Sequence, residues 1–169
     1  MNENDVLDGK SNRVKNFSSF VVTVLIGLIL GYLISITVVC RVNVEGVSME
    51  PTYKTGDVLL INRLDKTPER GEIVTFYRGN DKLIKRTIAI PGDTITIKGS
   101  SVFVNGEKIK EDYINEETFD GGGLESNVLT LGEDEYFMMG DNRNHSTDSR
   151  YFGVVTKDKI IGTKLIDLW

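Results

Sequence analysis

The sequence predicts a mostly β chain: one N-terminal apolar helix of membrane-spanning length, then a single antiparallel β-sheet domain. Three observations predict it. Phe17 to Cys40 is a run of 24 residues without a charged side chain. Beyond Arg41 the apolar residues fall in short β-branched and aromatic runs, separated by Gly, Asn, Asp and Pro. No later segment carries the 3.6-residue period of a long amphipathic helix.

The totals narrow the possibilities. The chain has 169 residues, and what remains beyond the apolar run, about 130 residues, suits one globular unit. A net charge of −5 argues against nucleic acid as the partner, because phosphate binding needs a basic face. A single cysteine, Cys40, excludes an internal disulfide framework and a Cys-rich zinc site. At the end of the apolar run it reads as a small apolar residue. A single histidine, His145, excludes a His-rich metal site and is the only candidate for a Ser-His-Asp arrangement. No metal or cofactor is expected.

Residues 1–16 are polar, with Glu3, Asp5 and Asp8 ahead of Lys10, Arg13 and Lys15 and no apolar period, and a short, mostly disordered tail is expected. As a helix, residues 17–40 would extend ~36 Å, against a hydrocarbon core of ~30 Å. A buried core helix is the blander alternative, but so small a domain rarely hides so long an apolar helix. A cleaved signal peptide would have an apolar region of about 7–15 residues and a small-residue cleavage site. This run is longer and ends Thr37-Val38-Val39-Cys40-Arg41. The expectation is an uncleaved signal anchor. Lys10, Arg13 and Lys15 precede the run and only Arg41 follows it directly, which puts residues 1–16 in the cytoplasm and residues 41–169 outside. Gly27 and Gly31 have the G-x-x-x-G spacing that lets helices approach. That spacing is common by chance, and a monomer is expected.

Strands are expected at Val42–Val47, in part of Asp57–Arg63, and at Glu72–Tyr77, Leu83–Ile90 and Asp93–Lys98. Ser101–Val104 and Glu107–Ile109 flank Asn105-Gly106 and read as a hairpin with a two-residue turn. Asn115–Asn127 is acidic, contains three consecutive glycines and has no period, so an exposed loop is expected. Asn127–Leu131, Glu135–Met139 and Lys159–Leu168 complete the strands.

Three segments carry candidate chemistry. Gly46-Val47-Ser48-Met49-Glu50-Pro51-Thr52 places a serine close behind the apolar run, so its hydroxyl would lie near a membrane surface. Alone it is weak evidence, since most serines near Gly and Pro sit in ordinary turns. Lys85 lies in a strand whose period of two puts Leu83, Lys85 and Thr87 on one face. An exposed strand lysine is the ordinary reading of that position. If buried, its ammonium is disfavoured and its pKa falls, and a neutral amine beside a serine can take the hydroxyl proton. Gly140 to Arg150 is dense in turn formers and short polar side chains, as a solvated loop would also be.

Together these segments resemble the bacterial type I signal peptidases, membrane-bound Ser-Lys proteases, and in particular their compact single-anchor form typical of Gram-positive bacteria. The resemblance rests on four ordered motifs: Ser48-Met49-Glu50-Pro51-Thr52, then Gly56-Asp57-Val58-Leu59, then Lys85-Arg86 leading to Pro91-Gly92-Asp93, then Gly140-Asp141-Asn142-Arg143 through Ser146, Asp148, Ser149 and Arg150. It implies a signal-peptidase-type β domain, with Ser48 as nucleophile and Lys85 as general base. It further implies that Ser146 orients the lysine and that Asp148 and Arg150 form a supporting pair. The implied substrates are the signal peptides of exported preproteins, cut after a small residue. Met49 is expected either at the lipid surface or packed in the core beside the site. Where some relatives carry a serine that adds a hydroxyl to the oxyanion hole, this chain has Gly46, leaving backbone donors such as the Ser48 N–H. Related enzymes that use histidine carry it at the position of Lys85, so His145 is not expected to be catalytic.

Three rivals remain. A self-cleaving repressor-type Ser-Lys protease would carry a DNA-binding or regulatory segment in place of the anchor. A sortase-like transpeptidase would need a cysteine in the β domain. A membrane-tethered β-sheet binding module would not need Ser48, Lys85 and Ser146 together.

Overall fold

In the computed structural model, residues 3–115, 119–124 and 126–168 are described; the side chains of residues 3–16, Ser18 and Ile36 lie outside the description. The chain divides into two compact units, Met1–Val38 and Val39–Trp169. The first is helix α1, Glu3–Val38. Its start at Glu3 makes residues 3–16 helical where an irregular tail is expected. Once an apolar helix exists, extending it needs no new nucleus, so polar residues ahead of it join cheaply. Among the described residues no helix is long and apolar enough to cross a membrane.

The second unit is built from two antiparallel sheets. The strands are β1 (Val39–Asn43), β2 (Val58–Asn62), β3 (Ile73–Arg78), β4 (Asp81–Ala89), β5 (Thr94–Lys98), β6 (Ser101–Val104), β7 (Glu107–Lys108), β8 (Leu129–Thr130), β9 (Glu135–Met139), β10 (Val155–Thr156) and β11 (Ile160–Leu168), with one four-residue helix, α2 (Ser149–Phe152). The larger sheet runs β1-β2-β11-β3-β4-β9-β10 and the smaller β7-β6-β5-β8. Asn105 and Gly106 have positive φ and form the expected two-residue hairpin turn.

Three boundaries differ from the sequence expectation. β1 starts at Val39, inside the apolar run, because Val39 and Cys40 pair with Asn62 and Ile61 of β2. The short β10 pairs with β9 at Tyr136 and Glu135, a two-residue ladder too brief to show in a sequence pattern. The segment expected as an exposed loop at 115–127 is partly interior. Residues 116–118 and 125 lie outside the described residues, but Phe119 and Leu124 are buried in a core cluster with Ile95, Ile97 and Val102. Two large apolar side chains gain more by docking there than a loop gains by solvation.

A second cluster positions the candidate nucleophile. Met49 and Tyr53 pack with Val42, Val44, Leu59, Ile61, Ile73 and Ile84. Burying these two residues draws the turn that carries Ser48 onto the inner face of β1, β2, β3 and β4.

Candidate active site

The turn after β1 begins at Gly46, whose φ of 82° is a conformation that L side chains rarely adopt. Its carbonyl accepts from Thr55 Oγ1 at 3.0 Å. Glu50 N–H donates to the Val47 carbonyl and Tyr53 N–H to the Met49 carbonyl, and these short bonds close the turn around Ser48. Met49 is 1% exposed. It packs in the core and lines the groove below, which removes the lipid-surface alternative for this side chain.

Lys85 lies mid-strand in β4, opposite Val74 of β3. It is 3% exposed, so the exposed-strand reading does not hold. Its Nζ lies 2.5 Å from Ser48 Oγ. Burial lowers its pKa from 10.5 to about 8; Asp148 and Asp141 pull it back up and Arg150 pushes it down. A group titrating at about 8 is neutral in roughly one molecule in ten at pH 7, against roughly one in three thousand at 10.5.

The loop from Gly140 to Arg150 is largely buried, which sets aside the solvated-loop alternative. Asp141, Arg143, Asp148, Ser149 and Arg150 are all buried. Asp148 accepts from the Gly140 N–H at 3.0 Å and from Arg150 Nε at 2.8 Å. Arg150 also donates to the carbonyls of Arg143 at 2.6 Å, Asp120 at 2.9 Å and Ser146 at 3.4 Å. The loop then grips the nucleophile's backbone: Asn142 N–H donates to the Ser48 carbonyl, and Asn142 Nδ2 to the Val47 carbonyl, each at 3.1 Å.

Ser146 lies in the same buried loop. Its Oγ is buried and has no hydrogen-bond partner among the described residues, so it does not bond Lys85 here. Lys85 uses its contact on Ser48 instead. A Cβ added to Gly140 would lie 2.3 Å from Ser146 Oγ and 2.5 Å from the Ser48 carbonyl oxygen. Gly140 is therefore the spacer that lets the loop and the nucleophile turn approach.

Ser48 and Lys85 line a groove of about 620 Å³ together with Arg41 to Glu45, Met49 and Asn80 to Ile84. β1 is the outer strand of its sheet. β4 pairs with β9 only from Arg86 onward. The two backbone edges that flank the groove are thus open to a further extended strand.

A family model described as "Signal peptidase, peptidase S26" matches residues 17–169. The chain belongs to the signal peptidase family. Among curated relatives, Signal peptidase IB of Staphylococcus aureus (strain Mu50) is 31% identical over 92% of this chain and 91% of its own. Signal peptidase I P of Bacillus subtilis subsp. natto is 33% identical over 94% of this chain and 92% of its own. Probable signal peptidase I-2 of Synechocystis is 36% identical over 72% of this chain, a match spanning 59% of that relative's length. A crystal structure of a signal peptidase I from Enterococcus faecalis V583 is 30% identical and covers 59% of this chain and 97% of its own, with a TM-score of 0.47.

In this signal peptidase the structure brings together Ser48, Lys85, Ser146, Asp148 and Arg150, with Gly46 and Met49 shaping the turn. His145 is exposed and lies outside the groove. Two further groups escaped the sequence reading. Arg86 holds Asp141 with two bonds, at 2.8 and 2.5 Å, and Thr52 donates to the same carboxylate at 2.5 Å. Arg86 stands next to the lysine and Asp141 next to Gly140, so adjacency to the motifs was their signal. Glu111 bonds Arg143 through both of its carboxylate oxygens, and nothing in its local sequence announces it. Asp93 serves elsewhere: it accepts from Arg70, Asn105 Nδ2 and the Ile90 N–H at the start of the smaller sheet.

Proposed function

We propose that the protein is a membrane-anchored serine endopeptidase that removes signal peptides from exported preproteins, with Ser48 and Lys85 as a catalytic dyad. The observation that carries this reading is the 2.5 Å approach of Lys85 Nζ to Ser48 Oγ with the lysine buried.

The chemistry follows from that contact. Neutral Lys85 accepts the Ser48 hydroxyl proton as Oγ attacks the scissile carbonyl carbon. The oxyanion that forms needs donors, and the Ser48 N–H is the candidate on this chain. Lysine then returns its proton to the leaving amine as the C–N bond breaks, leaving an ester on Ser48. In the second half, water loses a proton to Lys85 as it attacks the ester, and Lys85 returns that proton to Ser48 Oγ as the C–O bond breaks and the new C-terminal carboxyl group is released. Asp148, Arg150 and Ser146 act by positioning. No metal or cofactor enters these steps.

The substrate is held as an extended strand between residues 41–45 and 80–85, where backbone bonds give affinity and side-chain pockets give selectivity. A preference for small residues at the cut is carried over from the resemblance. Residues 17–38 anchor the chain, with residues 1–16 in the cytoplasm and the β domain from Val39 onward on the extracytoplasmic face. Described side chains of α1 such as Leu28, Tyr32 and Ile34 are exposed. Apolar surface of that extent needs a non-aqueous surrounding, and the bilayer supplies one. A monomer is sufficient for all of this.

The test is cleavage of a preprotein bearing a small-x-small site by the detergent-solubilised full chain, beside Ser48→Ala and Lys85→Ala. Cleavage lost in both variants is the expected result. No cleavage by a folded wild type across several substrates would favour a tethered binding module instead.

A further inference from the structure

We propose that Glu111 and Tyr113, which follow β7 of the smaller sheet, are positioning residues that clamp both halves of the active site. The inference rests on the protease reading above.

Two chains of contact start from this pair. The first runs to the loop. Arg143 is 1% exposed, and its two terminal nitrogens bond the two oxygens of Glu111. Its Nε donates to the Gly140 carbonyl at 3.0 Å. Gly140 is thereby held at both polar atoms, its N–H by Asp148 and its carbonyl by Arg143. A Cβ added to it would run into Ser146 Oγ and the Ser48 carbonyl oxygen, so it leaves room for both. A shift of Glu111 is thus passed through one side chain to the backbone that touches the nucleophile.

The second chain runs to the nucleophile turn. Tyr113 Oη donates to Glu111 Oε1 at 2.9 Å. The Arg86 guanidinium lies 4.0 Å above the Tyr113 ring centroid, a cation–π contact. Arg86 fixes Asp141, and Asp141 accepts from Thr52, four residues beyond Ser48. Glu111 is the one carboxylate that bonds Arg143 among the described residues. A buried guanidinium deprived of its counter-ion moves toward water rather than stay unpaired. The smaller sheet, which contributes nothing to the groove lining, acquires a role through these contacts: it sets the distance between Lys85 and Ser48.

The test uses the full chain in detergent and two readouts, steady-state cleavage of a small-x-small peptide and the rate of Ser48 acylation by a serine-directed reagent. Glu111→Gln removes the charge at constant shape. It is expected to lower kcat and the acylation rate about 10- to 100-fold, the scale of a misplaced reacting group, while KM changes less than about threefold. Tyr113→Leu, which removes the ring beneath Arg86, should lower kcat by a similar factor. Tyr113→Phe, which keeps the ring, should recover most of it. Val155→Ala provides the stability control: it loosens a separate core cluster, shared with Phe76, Tyr136 and Ile160, that contains neither clamp residue, and should lower the melting temperature with kcat unchanged. A folded Glu111→Gln with wild-type kcat would overturn the proposal. So would a Val155→Ala variant that loses kcat as much as Glu111→Gln. If Glu111→Gln does not fold, wild-type kcat in Tyr113→Leu overturns it. Failure of the protease reading looks different, since the wild type itself would then neither cleave nor acylate.

Discussion

Replacing Lys85 by methionine should destroy activity and stabilise the fold. The lysine is buried, and its pKa is lowered from 10.5 to about 8, chiefly by desolvation. Between those values an unfolded chain binds a proton that the folded chain does not, so wild-type stability rises with pH across this window. Below pH 8 the folded lysine carries the full penalty, about 3 kcal/mol at 1.36 kcal/mol per pK unit. Methionine has similar length and no charge, so it escapes the penalty, but it loses the contact to Ser48, worth about 1 kcal/mol. The net stabilisation at pH 7 is on the order of 2 kcal/mol. It should shrink between pH 8 and 10.5 as the wild-type lysine becomes neutral in both states. Burial also holds the Tyr53 and Tyr113 phenols above their usual range, and their titration overlaps the alkaline end. Because both proteins carry these tyrosines, the difference between the two curves isolates the lysine. The assay is urea denaturation followed by far-ultraviolet circular dichroism of the β domain, at intervals from pH 6 to 10.5. A variant no more stable than wild type at pH 7, with a difference that does not change with pH, would refute the reasoning.

Three other substitutions separate the parts of the site. Gly140→Ala places a methyl 2.3 Å from Ser146 Oγ and 2.5 Å from the Ser48 carbonyl; peptide cleavage should fall by about 100-fold or more, since misplacement by about 1 Å already costs that much. Asp148→Asn leaves Arg150 buried without its carboxylate, and denaturation should show a loss of about 3–5 kcal/mol. His145→Ala removes an exposed side chain outside the groove; kcat/KM within about twofold of wild type is expected, because surface changes of this kind are small.

The β architecture was legible because each main strand is long enough to show β-branched enrichment, and because Asn105-Gly106 demands one particular turn. What was missed follows from the limits of local pattern. Residues at 115–127 look like solvent-exposed loop by composition, yet Phe119 and Leu124 are drawn inward by a core assembled from strands elsewhere in the chain. Gly140 to Arg150 looks solvated for the same reason. Its charges are interior because each finds an opposite partner: Asp141 finds Arg86, Arg143 finds Glu111, and Asp148 finds Arg150. Pairing across 55 and 32 residues leaves no trace in spacing. The candidate site was legible only because its motifs could be taken together. Ser48 or Lys85 alone would have passed for a turn serine and a surface lysine, and the burial that distinguishes Lys85 is a tertiary property.

The central claim is that a lysine made neutral by burial activates Ser48. Its most direct test is the pH dependence of Ser48 acylation by a serine-directed reagent, read by mass spectrometry of the modified peptide. The account predicts a rate that rises with pH about a midpoint near 8, the value burial gives Lys85, and that is lost in Lys85→Ala. Labelling that is independent of pH over this range, or that persists at the wild-type rate without Lys85, would contradict it.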